Sequence, residues 1–377
     1  MKISKLFFQF VLIISVVIFL LSYMPISLAK ADFNTTAKAM CLMEATSHRV
    51  LKAKNENLEL PMASTTKIIT AITAIENCPD LDQTFEVSKA SIGISGTSIY
   101  LREGEKMSIR DLLYGLMLVS GNDASVAIGE YISGNSEFFV DLMNETVKKI
   151  GAKHTHIQNT HGLDEKGHYT TAYDLALISS YALQNPVFKE IVSTKNKKIT
   201  NVDGKDRYLQ NKNKLLRNFE GANGVKTGFT DDAGRCFVGS AERNNMTLVC
   251  SVLNCGPMFE DCASLLEEGF EEFKMVDVTK NVFKERKIKI ENGKELEVTI
   301  SPEERFCFPL KNGEELKIKY RYLFPESIEA PLEKGCEVGK IEIIFDNDLI
   351  FSLKFTTIDY VKTKGLIERF FDILNRW

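Results

Sequence analysis

Apolar residues pass from helical to strand-like spacing along this chain, and that change points to an α+β architecture. Ile68, Ile69, Ile72 and Ile75 recur at three-and-four spacing, which predicts a helix over 66–76. Ser108 is placed to cap the next helix, since Ile109-Arg110-Asp111-Leu112-Leu113 follows it. Further helical patterns run over 124–132, 137–150 and 172–183. Beyond Gly224 the texture becomes short strand-like runs, 224–230, 236–241 and 246–253, broken by polar turns, before one more helix over 259–273. Helices in the middle and antiparallel strands near the end predict a helical cluster packed on one sheet. From 276 to 359 the pattern is almost all strand, with alternation over 287–290, 295–300, 316–320 and 340–344. Asn292-Gly293 and Asn312-Gly313 are hairpin signals there, so a small all-β domain is expected to follow.

The two ends read differently. Lys2 and Lys5 precede an apolar run over 6–21, and Ala29-Lys30-Ala31 follows Pro25, the pattern of a cleaved export signal. A bilayer anchor is the competing reading, for which the run is short. The expected division is a signal peptide at 1–31, a catalytic domain at 32–274, a β domain at 275–361 and an amphipathic helix at 362–377. In that last helix Leu366, Ile367, Phe370, Phe371, Ile373, Leu374 and Trp377 share one side. Such a face suits docking on a core or lying in a membrane interface, and three aromatics on an exported chain point to the outer face of the cytoplasmic membrane. The net charge of −4 argues against nucleic acid as a partner, because phosphate binding needs concentrated Lys and Arg. The eight cysteines contain no CxxC pair and lie apart from the histidines, so a zinc site is not expected. Their pairing stays open.

Three short clusters could carry chemistry. Ser64-Thr65-Thr66-Lys67 opens the Ile-rich helix, and residues three apart share a helix face, so the Lys67 amine can sit beside the Ser64 hydroxyl. A serine becomes a useful nucleophile when a base takes its proton, and a lysine can be that base when burial or a nearby cation lowers its pKa. Lys226, in Lys226-Thr227-Gly228, could supply such a cation. Ser120-Gly121-Asn122 lies between two helices, where a hydroxyl could relay a proton and an amide could hold a substrate. Each cluster by itself has an ordinary structural explanation: a helix cap, a turn and an edge strand. His161 and His168 have no ligand-like spacing and read as structural.

Taken in order, the three clusters resemble the motif set of penicillin-binding proteins and β-lactamases. The flanking text Pro61-Met62-Ala63-Ser64-Thr65-Thr66-Lys67, Val119-Ser120-Gly121-Asn122-Asp123-Ala124 and Gly224-Val225-Lys226-Thr227-Gly228-Phe229-Thr230 is similar to low-molecular-mass D-alanyl-D-alanine carboxypeptidases, as are His161-Gly162-Leu163-Asp164 and Ala233-Gly234. That resemblance implies a penicillin-binding/β-lactamase-like catalytic domain. It implies that Ser64 attacks the carbonyl between the terminal D-alanines of a peptidoglycan stem peptide, with Lys67 accepting its proton and Ser120 passing a proton to the leaving amine. The backbone N–H groups of Ser64 and Phe229 would hold the oxyanion, Asn122 the substrate amide, and Lys226 and Thr227 the terminal carboxylate, with Gly228 letting the substrate backbone approach. β-Lactam antibiotics would acylate the same serine, and neither metal nor organic cofactor is implied.

One departure stands out. A basic residue expected before the helix that follows the strands is absent from Gly256-Pro257-Met258-Phe259-Glu260-Asp261, and Arg235 is the nearest substitute. Two other readings remain at this stage. A β-lactamase would need a deacylating acid, for which Glu165, Glu190 and Glu220 lie in the right interval, though none in a Glu-x-x-x-Asn context. A non-catalytic wall-binding protein would keep the pocket without turnover.

Overall fold

The Ile-rich helix is buried almost all round, from Lys67 through Ala74, which places it at the centre of the molecule rather than on its surface. A computed structural model describes residues 35–368 and Phe370. The leader expected over 1–31, and residues 369 and 371–377 of the helix expected over 362–377, lie outside these residues. In chain order the first part contains β1 (Ala39–Glu44), β2 (Val50–Lys54), α1 (Lys67–Asn77), α2 (Ile109–Tyr114), α3 (Asn122–Ser133), α4 (Ser136–Ile150), α5 (Ala172–Leu183) and α6 (Pro186–Ser193). A hairpin of β3 (Asn196–Thr200) and β4 (Asp206–Gln210) follows, then β5 (Ala222–Thr230), β6 (Gly234–Arg243), β7 (Met246–Leu253) and α7 (Met258–Glu272).

The helices start and stop where local chemistry says they should. Ser108 caps α2 by accepting from the Asp111 N–H, as read from the sequence. Asn135 and Thr171 do the same for α4 and α5, and Gly134 and Gly151 end α3 and α4 in the left-handed conformation.

One five-stranded antiparallel sheet, in the order β2-β1-β7-β6-β5, carries the helices. The strands β1 and β2 were not read from the sequence. All six residues of β1 are buried, because the strand lies inside the sheet with both faces covered. Cys41 and Met43 join the helical core, while the opposite face, at Leu42, meets Gly269 of α7. A strand buried on both faces shows no alternation, so its apolar run is not distinctive.

The β-rich part has β8 (Lys274–Asp277), β9 (Arg286–Glu291), β10 (Glu297–Pro302), β11 (Cys307–Leu310), β12 (Ile318–Leu323), β13 (Ser327–Glu329), β14 (Glu337–Phe345) and β15 (Asp348–Thr357). Six of these form a sheet in the order β12-β14-β15-β10-β9-β13, and β8 pairs with β11. Asn292 and Gly313, from the two expected turns, both take positive φ. Arg49, just before β2, ties this part to the first: it pairs with Glu314 at 2.9 Å and lies over the rings of Phe273, Phe308 and Phe345. No disulfide joins any of the eight cysteines, all of which lie among the described residues.

The hairpin β3–β4 is fastened to the rest by a buried ion pair. Arg207 donates to both carboxylate oxygens of Glu105 and also to the Ile99 and Tyr100 carbonyls. Burial alone would raise the Glu105 pKa, but the Arg207 contacts hold it below the ordinary value. Removing the guanidinium by Arg207→Met should destabilise the fold by about 3 kcal/mol at neutral pH, since it strands a buried carboxylate. The loss should shrink as pH falls and Glu105 protonates in the variant, which urea unfolding at two pH values would check.

Candidate active site

The first cluster sits on a short 3₁₀ turn, Ala63–Thr66, that runs straight into α1. Ala63 adopts φ 49°, a left-handed conformation that costs an alanine energy and is held by its surroundings. Gly162, itself at φ 86°, lies against it so closely that a Cβ there would fall on the Ala63 carbonyl. Thr66 Oγ1 bonds the Ala63 carbonyl at 2.8 Å and meets His168 Nε2 at 2.7 Å. Because His168 Nδ1 accepts from the Gln158 N–H, its Nε2 carries the ring proton and donates to Thr66. Burial pushes the His168 pKa down to about 4, so it is a neutral structural group, as expected.

Lys67 has no exposed surface. Its Nζ lies 3.0 Å from Ser64 Oγ, 2.7 Å from Asn122 Oδ1 and 2.6 Å from the His161 carbonyl oxygen. Its pKa falls well below the ordinary value, first through burial and then through the positive charges of Lys226 and Lys212. A neutral amine has two N–H donors and one lone pair. With Asn122 and His161 accepting the two hydrogens, the lone pair is directed at Ser64.

The second cluster follows a π-helical turn, Gly115–Val119, that ends at Ser120 in the left-handed conformation (φ 71°). Such turns recur at functional sites. Asn122 is the first residue of α3, not part of a connecting loop, and its Nδ2 donates to the Ser95 carbonyl. The next residue, Asp123, accepts from the Ile99 and Leu101 N–H groups and from the Ser98 hydroxyl, pinning the 98–101 loop beside the cleft.

The third cluster lies on β5, the edge strand of the sheet. A Cβ on Gly228 would come within 3.0 Å of the Ser64 nitrogen, so the strand approaches the nucleophile turn as only glycine permits. Lys226 is buried, and its Nζ donates to the Thr227 carbonyl at 2.8 Å. Burial and then the charge of Lys212 lower its pKa to about 7.

Ser64, Ser120, Thr227, Gly228 and Phe229 line one cleft of about 320 Å³, with Lys67, Asn122 and Lys226 buried behind it. Lys212, Met258 and Phe259 line the same cleft. Lys212 was missed by sequence reasoning; it stands in an Asn-Lys-Asn-Lys run that carries no motif. The His161 carbonyl and the Asp123 clamp were missed as well: one is a backbone group, and the other is a carboxylate that grips a loop distant in sequence. Arg235 does not line the cleft, and its guanidinium faces the Gly256 carbonyl at 3.4 Å. Glu165, Glu190 and Glu220 do not line it either; Glu190 accepts from the Tyr114 hydroxyl and Glu165 from Asn159.

A serine hydroxyl facing a buried lysine, whose pKa burial and neighbouring cations depress, at the mouth of a cleft is the layout of a serine acyl-transfer enzyme. The chain belongs to the D-alanyl-D-alanine carboxypeptidase family of serine peptidases, whose pattern matches residues 26–256. The penicillin-binding protein 5 C-terminal domain matches residues 270–363. The D-alanyl-D-alanine carboxypeptidase DacF of Bacillus subtilis is 31% identical over 364 residues, covering 93% of this chain and 94% of its own length. DacC of Escherichia coli is 30% identical over 357 residues, covering 90% of this chain and 88% of its own. Penicillin binding protein 5 from Haemophilus influenzae superposes with a TM-score of 0.72 at 28% identity, over 87% of this chain and 98% of that one. The α+β catalytic part followed by a β-rich part is the architecture expected from the sequence.

Gly162→Ala would force both a strained φ and a collision with the Ala63 carbonyl. It should cost about 3 kcal/mol by denaturant unfolding. A neutral effect would mean that the 161–163 loop does not support the nucleophile turn.

Proposed function

We propose that the chain removes the terminal D-alanine from peptidoglycan stem pentapeptides through an acyl-enzyme on Ser64. The observation that carries this is the Lys67 amine 3.0 Å from Ser64 Oγ, with two other acceptors for its hydrogens. As Oγ attacks the carbonyl between the two D-alanines, the Oγ–C bond forms and the hydroxyl proton passes to Nζ. The backbone N–H groups of Ser64 and Phe229 steady the oxyanion, which is where preorganised donors contribute most. Ser120 relays a proton to the departing D-alanine nitrogen as the C–N bond breaks, and water then cleaves the ester. Asn122 has a second Nδ2 hydrogen for the substrate amide, while Lys226 and Thr227 face the terminal carboxylate across Gly228. β-Lactams, which carry a strained amide beside a carboxylate, acylate the same serine. Serine acyl transfer of this kind needs neither metal nor organic cofactor.

The division into a 1–31 signal, a 32–274 catalytic domain, a 275–361 β domain and a 362–377 helix completes the proposal. The protein is exported and works outside the cytoplasmic membrane, resting on its outer face through the terminal helix. Exposed Leu366, Ile367 and Phe370 support that contact. Among the described residues, no helix is long and apolar enough to cross a membrane.

Incubation with benzylpenicillin followed by mass spectrometry should give a single adduct on the peptide containing Ser64. Ser64→Ala should abolish both the adduct and D-alanine release, and an adduct that survives the substitution would overturn the assignment. The acylation rate should fall as pH drops, because Lys67 must be neutral to take the proton. Lys226→Met removes a neighbouring cation, so the Lys67 pKa should rise and the acid limb should move to higher pH. A limb that stays in place would remove Lys67 from the role of base.

A further inference from the structure

Tyr100 is held in a conformation that suits a smaller residue. Its φ is 58°, a left-handed value that Gly or Asn takes readily and a bulky side chain takes only under constraint. Both sides of the residue supply that constraint. Its N–H donates to Ser98 Oγ at 2.8 Å, and its carbonyl accepts from the Arg207 guanidinium at 3.0 Å. On its flanks the Ile99 and Leu101 N–H groups donate to the Asp123 carboxylate. Ile99 and Leu101 are buried, whereas Tyr100 is 82% exposed. A ring placed in water gains no core packing to offset the strain, so the fold alone gives no reason for a tyrosine here. Strain of this kind gathers at ligand-binding sites.

A second exposed ring borders the same place. Tyr208, on β4, is 77% exposed and lies opposite Lys198 across the β3–β4 hairpin, with the Lys198 ammonium 5.8 Å from the ring centre. Among the described residues, neither phenol hydroxyl has a hydrogen-bond partner. Tyr100 and Tyr208 line a pocket of about 190 Å³, together with Ser98, Val119 and Arg207. It adjoins the catalytic cleft along two stretches of chain: Thr97 and Ser120 line the cleft, and their neighbours Ser98 and Val119 line the pocket.

The chemistry of the pocket selects its occupant. Among the described residues that line it, Arg207 alone is charged, and its guanidinium is taken up by Glu105 and by the Ile99 and Tyr100 carbonyls. What remains is a pair of aromatic residues with free hydroxyls beside apolar Val119 and Leu209. That combination suits an uncharged ring with one apolar face and several hydroxyl or amide groups, which describes a sugar. The volume is below that of an ordinary small-molecule site and takes one such ring. With its terminal carboxylate at Lys226 and Thr227, a bound stem peptide ends before this pocket, so the occupant is a separate stretch of the polymer.

We propose that Tyr100 and Tyr208 bind an N-acetylated sugar ring of the peptidoglycan glycan strand, and so hold the polymer beside the cleft while its stem peptides are shortened. This rests on the peptidoglycan reading of the site. A held strand raises the local concentration of stem peptides, so the pocket matters for the polymer and little for a free peptide.

The test titrates the protein with short peptide-free glycan strands of alternating N-acetylglucosamine and N-acetylmuramic acid, followed by NMR. Replacing both rings, Tyr100→Ala with Tyr208→Ala, should weaken binding by about tenfold or more, the scale of two lost stacking contacts. The pair Tyr100→Phe and Tyr208→Phe should keep most of the affinity. The same Ala pair should lower D-alanine release from polymeric peptidoglycan by a similar factor, relative to release from a soluble pentapeptide without sugar. No glycan binding by the unsubstituted protein, or undiminished binding in the Ala pair, would overturn the proposal. An equal loss on polymer and free peptide would overturn it too, leaving the two tyrosines to shape the rim. Because the titration needs no turnover, glycan binding without D-alanine release would sink the carboxypeptidase reading alone, whereas release without glycan binding would sink only this inference.

Discussion

The site depends on keeping one lysine amine uncharged inside the protein. An ammonium buried without a counter-ion is costly, so an environment that buries Lys67 and adds two neighbouring cations favours the neutral form. The acceptors around it then orient what remains. Asn122 Oδ1 and the His161 carbonyl take hydrogens, and the lone pair faces Ser64. Three separate stretches of chain must therefore converge within hydrogen-bond distance of one nitrogen, and the layered fold around α1 is what makes them converge.

Backbone strain is concentrated at the same place. Ala63, one residue before the nucleophile, and Ser120, in the second cluster, are both non-glycine residues at positive φ. Each is held by a neighbour that could not be larger without moving: Gly162 against the Ala63 carbonyl, and Gly115, where a Cβ would press on Ile99. Such conformations persist only where packing over-determines them. The Asp123 clamp on 98–101 and the Arg207–Glu105 pair brace the rim beside the second cluster, so stability in this region serves the geometry of the cleft.

Much of the helical half was legible in the sequence. The α5 range and the β7 range agree with the periodicity, and Ser108 caps α2 as its chemistry suggests. The strands β1 and β2 were not legible. β1 joins the sheet through β7, some two hundred residues away, and is covered on both faces, so no alternation marks it. At the site, Ser64, Lys67, Ser120, Asn122 and the Lys226 strand were legible because their clusters, taken in order, resemble a known motif set. Lys212 was not, since a lysine among asparagines reads as a solvated turn until the fold shows which wall it lines.

The sequence by itself determined the order of helices and strands, the glycines where the backbone must turn or approach closely, and the identity of the groups able to move a proton. Those follow from local rules, which act over a few residues. Only the tertiary structure decided that Lys67 is sealed from water, that the His161 carbonyl and Asn122 accept its hydrogens, and that Lys212 lines the cleft while Arg235 bonds the Gly256 carbonyl. Burial and the sum of distant charges depend on residues far apart in the chain. They exist as physical quantities only once β1 has closed the sheet and brought those residues together.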